Sequence, residues 1–387
     1  MRQVQRFFLL VLLLSLAIST ARAENGREFT EGRVDGGELR YINELPVLIV
    51  SGTPTEIGRQ KGRLTGEAMK TLAQYPNKML ERGNRKDRLP KYQAMCKALT
   101  PQLPADHRDE MKAAAEQSGI DRDLGLQGNL LPDVYRGSFA CSSLIVDADR
   151  SATGGPLFGR NLDFRTLGFL DKYNLVTVHR PKGKHAFVSI GFPGLFGCLS
   201  GMNDAGLALA VHEVFLSRDG AAMFNPKGVP YTFLFRRVLE ECSTIAEAEK
   251  LIRSNERTTI LSLALCDRHG SAVIEMTPER AVERRGSDGI LACTNHFRSD
   301  ELASVLLPLG ICNRYPKLIQ VRKLERPLDI SDVAKKMHEV NMGRMTVQTM
   351  IFEPATLKLH LAIGSCPASA LPLKPLELKP LFSPVQH

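Results

Sequence analysis

Four short segments of this 387-residue chain hold residues that could do bond-breaking chemistry. In Gly137-Ser138-Phe139-Ala140-Cys141-Ser142-Ser143-Leu144-Ile145-Val146, a cysteine opens an apolar strand after a loop of small and polar residues. Such a thiol is either a core cysteine at a strand start or a nucleophile created by chain cleavage before Cys141. In Phe158-Gly159-Arg160-Asn161-Leu162-Asp163-Phe164, an Arg, an Asn and an Asp follow a short strand. Strand alternation puts Arg160, Leu162 and Phe164 on one face and Asn161 and Asp163 on the other. Ser200-Gly201-Met202-Asn203-Asp204-Ala205-Gly206-Leu207 reads as a turn between strands, where Asn203 tolerates a left-handed backbone. Cys293-Thr294-Asn295-His296-Phe297 puts polar residues at a strand end. Taken singly, each has a structural explanation: a core thiol, a surface ion pair, a hairpin, a satisfied loop pair.

The elements that must position these residues change character near residue 140. Before it the pattern is helix-rich. Val47–Val50 is a short apolar strand, with Pro46 tolerated at its start. Thr53 or Thr55 caps a helix running to about Tyr75, and Gly58, Gly62 and Gly66 share one face of it, where another element can approach closely. Asp106–Gln117 reads as a second helix capped by Asp106, and 121–140 as loop with a short helix. From Cys141 onward, short β-type runs alternate with Gly, Pro, Asn and Asp turns: 143–146, 157–159, 175–178, 186–190 and 207–211. Two helices (232–241, 245–254) separate these from strands at 259–266, 272–276, 281–283 and 291–294. Helices at 315–324 and 330–342 and strands at 346–352 and 357–363 close the pattern; the tail from Cys366 shows no clear element. Strands joined by tight turns and covered by helix pairs predict antiparallel sheets in an α+β layered architecture.

Composition narrows the function. With 51 Lys+Arg, 42 Asp+Glu, 43% apolar and 24% charged residues, the chain is an ordinary globular protein. It has no Trp and no concentrated basic tract, so a nucleic-acid partner is not expected. Arg2 and Arg6, the apolar run Phe7–Ile18 and Ala21-Arg22-Ala23 together predict a secretory signal peptide cleaved after Ala23. The run is short of the roughly 20 residues that span a bilayer. Removing its three arginines lowers the formal charge from +9 to +6 and predicts a secreted or periplasmic location. The eight cysteines come no closer than 19 residues apart and no H-E-x-x-H motif is present, so neither a zinc ribbon nor a metal site of that kind is expected and no cofactor is implied.

In their order and spacing, Cys141-Ser-Ser-Leu-Ile-Val, Gly159-Arg-Asn-Leu-Asp-Phe, Gly201-Met-Asn and Thr294-Asn-His-Phe resemble the N-terminal-nucleophile (Ntn) hydrolases of the penicillin acyltransferase type. The pattern extends to bile-salt hydrolases, penicillin V acylases, acid ceramidase and its N-acylethanolamine-hydrolysing relative. Upstream, Gly52-Thr-Pro-Thr-Glu-Ile-Gly-Arg-Gln-Lys-Gly looks like the opening of the acyltransferase pro-segment, which favours that branch. The branch often has Gly before the cysteine; here it is Ala140. The resemblance implies a four-layer αββα sandwich. It also implies self-cleavage into residues 24–140 and 141–387, whose fragments stay associated, and a small-molecule N-acyl amide substrate.

The freed α-amine of Cys141, with an ordinary pKa near ~7.7–8.0, would take the thiol proton. Arg160 would favour the thiolate by its charge, and Asp163 would accept a hydrogen bond from the amine. By resemblance, the Asn295 side chain and the Asn203 backbone N–H would stabilise the oxyanion, and Arg314 would be a second active-site arginine. Two other readings compete: a papain-like thiol hydrolase using Cys141 or Cys293 with one of the nine histidines, and a secreted binding protein that keeps the fold without the catalysis.

Overall fold

The computed structural model describes residues 27–137, 139–304 and 312–383. The signal-peptide segment lies outside the described residues. The chain opens with three strands, β1 (Gly32–Val34), β2 (Gly37–Ile42) and β3 (Leu45–Gly52), and five helices: α1 (Pro54–Ala73), α2 (Tyr75–Arg82), α3 (Leu89–Leu99), α4 (Ala105–Ser118) and α5 (Arg122–Val134). Thr53 caps α1 in a reciprocal capping box with Glu56, and Pro54 at the first position suits a helix start. The glycine stripe on α1 is a close-approach surface: a Cβ at Gly58 would stand 2.2 Å from the Glu110 carbonyl oxygen of α4, and one at Gly62 2.6 Å from that of Ala114.

Two expectations for this region are corrected. The second helix is preceded by Pro104 rather than capped by Asp106, which lies in its first turn. Residues 122–134 form a full helix capped by Asp121, whose side chain accepts from the Leu124 N–H. Gly125, Gly128 and Pro132 lower its intrinsic propensity, but packing overrides this. Strands β1 and β2 and helices α2 and α3 carried too little periodicity to be read.

The second part contains β4 (Phe139–Val146), β5 (Leu157–Phe164), β6 (Leu175–Pro181), β7 (Phe187–Gly191), β8 (Ser200–Asn203), β9 (Ala208–Glu213), α6 (Tyr231–Glu241) and α7 (Ile245–Arg253). It continues with β10 (Leu261–Cys266), β11 (Ser271–Met276), β12 (Ala281–Arg284), β13 (Ile290–Cys293), α8 (Arg314–Ile319) and α9 (Ile330–Glu339). It ends with β14 (Thr346–Glu353), β15 (Lys358–Ile363), β16 (Lys374–Glu377) and α10 (Lys379–Phe382), so the tail does hold a strand and a helical turn.

The strands form a ten-stranded sheet, β1-β2-β3-β6-β7-β8-β9-β10-β11-β12, and a six-stranded sheet, β13-β4-β5-β14-β15-β16. Every pairing is antiparallel except β3 with β6. That parallel pair inserts the segment before residue 140 into the same sheet as the strands after it.

Alternation along the strands assigns the layers. Ala208 and Ala210 face an apolar core shared with Ile145 and Phe158 of the other sheet, while Leu209 and Val211 pack with the helices. On the far side, Leu144 and Val146 pack against α8 and α9. The result is the expected α+β, four-layer sandwich: helices, large sheet, small sheet, helices. No helix among the described residues is long and apolar enough to cross a membrane. All eight cysteines carry free thiols, six of them buried.

Candidate active site

Cys141 lies in β4, on the face turned toward the large sheet, and its side chain is wholly buried. The cross-strand register sets Cys141 opposite Leu162, Ser143 opposite Arg160 and Ala140 opposite Asp163. The expected alternation along β5 holds. Arg160 points between the sheets, whereas the Asn161 amide donates to the Met337 carbonyl of α9.

Arg160 is fully buried and reaches three partners. Its Nη2 lies 3.2 Å from Cys141 Sγ, Nε donates to Ser200 Oγ at 2.6 Å and Nη1 donates to the Val211 carbonyl at 2.8 Å. Burial pushes the Cys141 thiol up to about 11, and the Arg160 charge only partly offsets it. The thiolate-favouring effect expected of Arg160 is therefore present but outweighed by desolvation. With the 140–141 peptide intact, the thiol is protonated near neutrality.

Asn295 and Arg314 enclose the backbone at the same point. The Cys141 N–H donates to Asn295 Oδ1 at 3.0 Å, Arg314 Nη1 donates to the Cys141 carbonyl at 2.8 Å, and Arg314 Nη2 donates to Asn295 Oδ1 at 2.7 Å. Asn295 Nδ2 donates to the Glu213 carbonyl at 2.7 Å. That amide nitrogen carries two N–H groups, so an oxyanion at the thiol need not displace the carbonyl.

Asp163 does not receive the Cys141 N–H in the continuous chain. It accepts from Thr346 Oγ1 at 2.5 Å and pairs with Arg314 Nη1 at 3.4 Å. Burial raises its carboxyl to about 6, against the opposing effects of Thr346, Arg314 and Arg160.

That value gives a pH prediction. As pH falls through about 6, Asp163 takes up a proton and Arg314, which holds the Cys141 carbonyl, loses its anionic partner. Conversion of the chain to fragments, followed by gel densitometry in buffers spanning that range, should slow on the acid side. Asp163→Asn should be slow throughout and lack that limb. A wild-type rate flat across the range would contradict the role.

Asn203 is not brought to this cluster. It ends β8, at the opposite end of that strand from Ser200, and its N–H donates to the Leu207 carbonyl at 3.0 Å. Its side chain donates to the Leu239 and Cys242 carbonyls and accepts from Leu207 N–H. The left-handed residue of the turn is Gly206, at φ 89°. The turn geometry spends the N–H that the resemblance assigned to an oxyanion.

Sequence reasoning missed Glu213, a buried carboxylate at the end of β9. Besides receiving the Asn295 amide on its carbonyl, it accepts the Gly137 N–H at 2.9 Å and pairs with Arg136 Nε at 3.3 Å. It thereby holds the backbone just before residues 140–141. The available signal was a charged residue closing an otherwise apolar strand, Ala208-Leu-Ala-Val-His-Glu213.

Also missed was Cys312, whose thiol is lowered by its surroundings. Burial raises that thiol, but the hydrogen bond with His296 and the charge of Arg314 more than offset it and leave it at about 6. Cys293, by contrast, is in the core between the sheets, and burial pushes its thiol up to about 12.

These contacts divide the two neighbours. Asn295→Ala removes a buried amide with three partners, so it should cost about 1–3 kcal/mol of stability as well as roughly 10²–10³ in kcat/KM. Cys293→Ala should lower stability by about 1 kcal/mol and leave turnover nearly unchanged. Thermal melts and steady-state kinetics on the two variants check this, and the reverse pattern would move the site to Cys293. Among the described residues, no group of three or more metal-ligating side chains is gathered at one place.

Residues 150–310 match the family model described as acyl-coenzyme A:6-aminopenicillanic acid acyl-transferase. The match agrees with the kinship read from the motifs: the matched segment carries Arg160, Asp163, Asn203 and Asn295, and Cys141 and Arg314 flank it. An uncharacterized protein of Archaeoglobus fulgidus is 23% identical over 310 residues, which is 72% of this chain and 51% of its own length. Protein dcd1A of Dictyostelium discoideum is 28% identical over 174 residues, 42% of this chain and 37% of its own. The chain thus spans about half, or less, of the length of these relatives. Two solved structures are similar. One is the Caenorhabditis elegans ortholog of N-acylethanolamine-hydrolyzing acid amidase, with TM-score 0.43 and 16% identity, covering 55% of this chain and 93% of that one. The other is penicillin V acylase from Agrobacterium tumefaciens, with TM-score 0.40 and 16% identity, covering 58% and 83%.

Proposed function

We propose that this protein is an exported, self-processing cysteine amidase that cleaves an N-acyl amide through a thioester on Cys141. The observation that carries the reading is the convergence of Arg160 on the Cys141 thiol and of Arg314 and Asn295 on its backbone. In the first stage Sγ attacks the Ala140 carbonyl carbon. The C–N bond to Cys141 breaks, its nitrogen takes a proton and becomes the free α-amine, and water hydrolyses the resulting thioester to an Ala140 carboxylate. In the second stage the α-amine takes the thiol proton, Sγ attacks the substrate carbonyl, the amide C–N bond breaks, and the substrate's amine leaves with the proton handed on by the α-ammonium. Water then releases the acid. Hydrolysis is favoured over acyl transfer because an exported enzyme meets water in excess.

Intact mass and N-terminal sequencing of protein recovered from the medium test the reading. Expected are chains beginning after Ala23 and at Cys141, together with turnover in a screen of N-acyl amides. A single active chain with residue 141 still in peptide linkage would overturn self-processing. The papain-like reading expected of Cys141 or Cys293 can also be framed on Cys312, whose thiol His296 and Arg314 hold low. Cys312→Ala should keep most of the activity; its abolition, with Cys141→Ala active, would favour that alternative.

A further inference from the structure

A cavity of about 360 Å³ lies between α1, α4, α5 and the loop 192–199. Its volume falls in the ~300–1,000 Å³ range of ligand pockets. The wall is apolar: Met69 and Leu72 from α1, Leu131 from α5, then Phe164, Phe192 and Leu199. The loop is pinned rather than loose. The buried Asn129 of α5 donates to the Gly194 carbonyl and accepts the Phe196 N–H. Exposed Arg108, Lys112 and Arg122 stand with Asp109 and Asp123 at the solvent side.

The inner end borders the catalytic cluster. Phe164 follows Asp163, and Leu199 precedes Ser200, the partner of Arg160. Phe164 stacks on Phe139, at 5.9 Å between centroids and 2° between planes, and Phe139 precedes Cys141 by two residues. Phe139 and the wall residues Leu131, Phe164 and Leu199 share one packed apolar cluster with Cys141, and Phe139 belongs to the chain end that cleavage would set free.

We infer that this cavity binds the acyl group of the substrate, and that this group is an uncharged, extended hydrocarbon. The inference deepens the amidase reading and rests on it for the meaning of the ligand. The segment before residue 140 would then supply the acyl specificity of a nucleophile that begins the other fragment. This gives a reason for the first fragment to remain after the cut.

Gly128 offers the probe. It lines the cavity on α5, and a Cβ built there meets nothing within 4 Å, so a larger side chain enters the void without striking a wall. A helical glycine is also replaced at no propensity cost.

The fluorescent fatty acid cis-parinaric acid is titrated into the full-length protein and displaced by straight-chain acids of increasing length. Affinity should rise roughly fourfold per added methylene until the cavity is full. Gly128→Leu should end that rise several carbons earlier and weaken the longest acids by about tenfold or more, while Gly128→Ala keeps most of the profile. Affinity independent of length in the wild type would overturn the inference, whether or not Gly128→Leu folds. So would a Gly128→Leu profile identical to wild type in a variant with an unchanged thermal midpoint. The readout is binding, so the two readings fail separately. Length-dependent, Gly128-sensitive binding without any amide turnover would sink the amidase and keep the pocket. Turnover with no length dependence would do the opposite.

Discussion

Cys141→Ala should purify as one unbroken chain and turn over no N-acyl amide. Both losses follow from one atom in the proposed mechanism, where the same sulfur attacks the Ala140 carbonyl during processing and the substrate carbonyl afterwards. Removing a nucleophile of this kind typically costs about 10⁴–10⁶ in rate. The structural cost is small by comparison. The residue is buried, and the change deletes one sulfur that accepts from Arg160 Nη2 at 3.2 Å, so a stability change of about 1 kcal/mol is expected. Circular dichroism and a thermal melt should therefore show a folded protein. Cys141→Ser separates the stages: a hydroxyl can still attack the preceding carbonyl slowly, while turnover falls severely. An uncut Cys141→Ala protein with wild-type turnover would remove Cys141 from the mechanism.

Much of this site could be read from the sequence because each piece is local. Arg160 and Asp163 follow the turn after Cys141, and strand alternation separated Arg160 from Asn161 and Asp163. Asn295 and Arg314 were reached by motif likeness, and both touch Cys141. What could not be read was where hydrogen bonds end. Asn203 looked available as a donor, but a reversal closed over Asn203–Leu207 consumes its N–H. Glu213 carries no motif and gains its place only when β9 comes to lie beside β4 and the Asn295 loop returns to its carbonyl. Helix α5 was hidden by Gly125, Gly128 and Pro132, residues that depress local propensity but leave open the cavity that the helix lines. Long-range contacts set the places of Glu213 and α5, whereas a short local reversal took the Asn203 donor; of these, Glu213 falls at the site itself.

Glu110→Ala should destabilise the protein by about 3–5 kcal/mol, more than any other single change considered at a position away from the thiol. Glu110 is wholly buried on α4 between two cations: Lys61 Nζ of α1 at 2.6 Å and Arg236 Nη2 of α6 at 2.5 Å. Arg236 continues to Glu240 at 2.7 Å, and Glu240 meets His107 at 3.1 Å and Lys184 at 2.9 Å. Although burial alone would raise the Glu110 carboxyl, Arg236 and Lys61 pull it below its ordinary value, so it is charged and balances both. Truncation leaves those two cations buried, facing each other across the space the carboxylate filled. The network spans the proposed cut, with Lys61, His107 and Glu110 before residue 140 and Lys184, Arg236 and Glu240 after it. Urea denaturation in the Cys141→Ala background should show the loss without interference from processing. In the processed enzyme, size exclusion should show the first fragment departing at lower denaturant than in the parent. Replacing the three central charges together, Lys61→Met with Glu110→Leu and Arg236→Met, should recover much of the loss, since a packed apolar set of similar volume carries no desolvation penalty. If Glu110→Ala instead unfolds within about 0.5 kcal/mol of its parent, water must reach Lys61 and Arg236 once the carboxylate is gone, and the network would not be what holds the two fragments together.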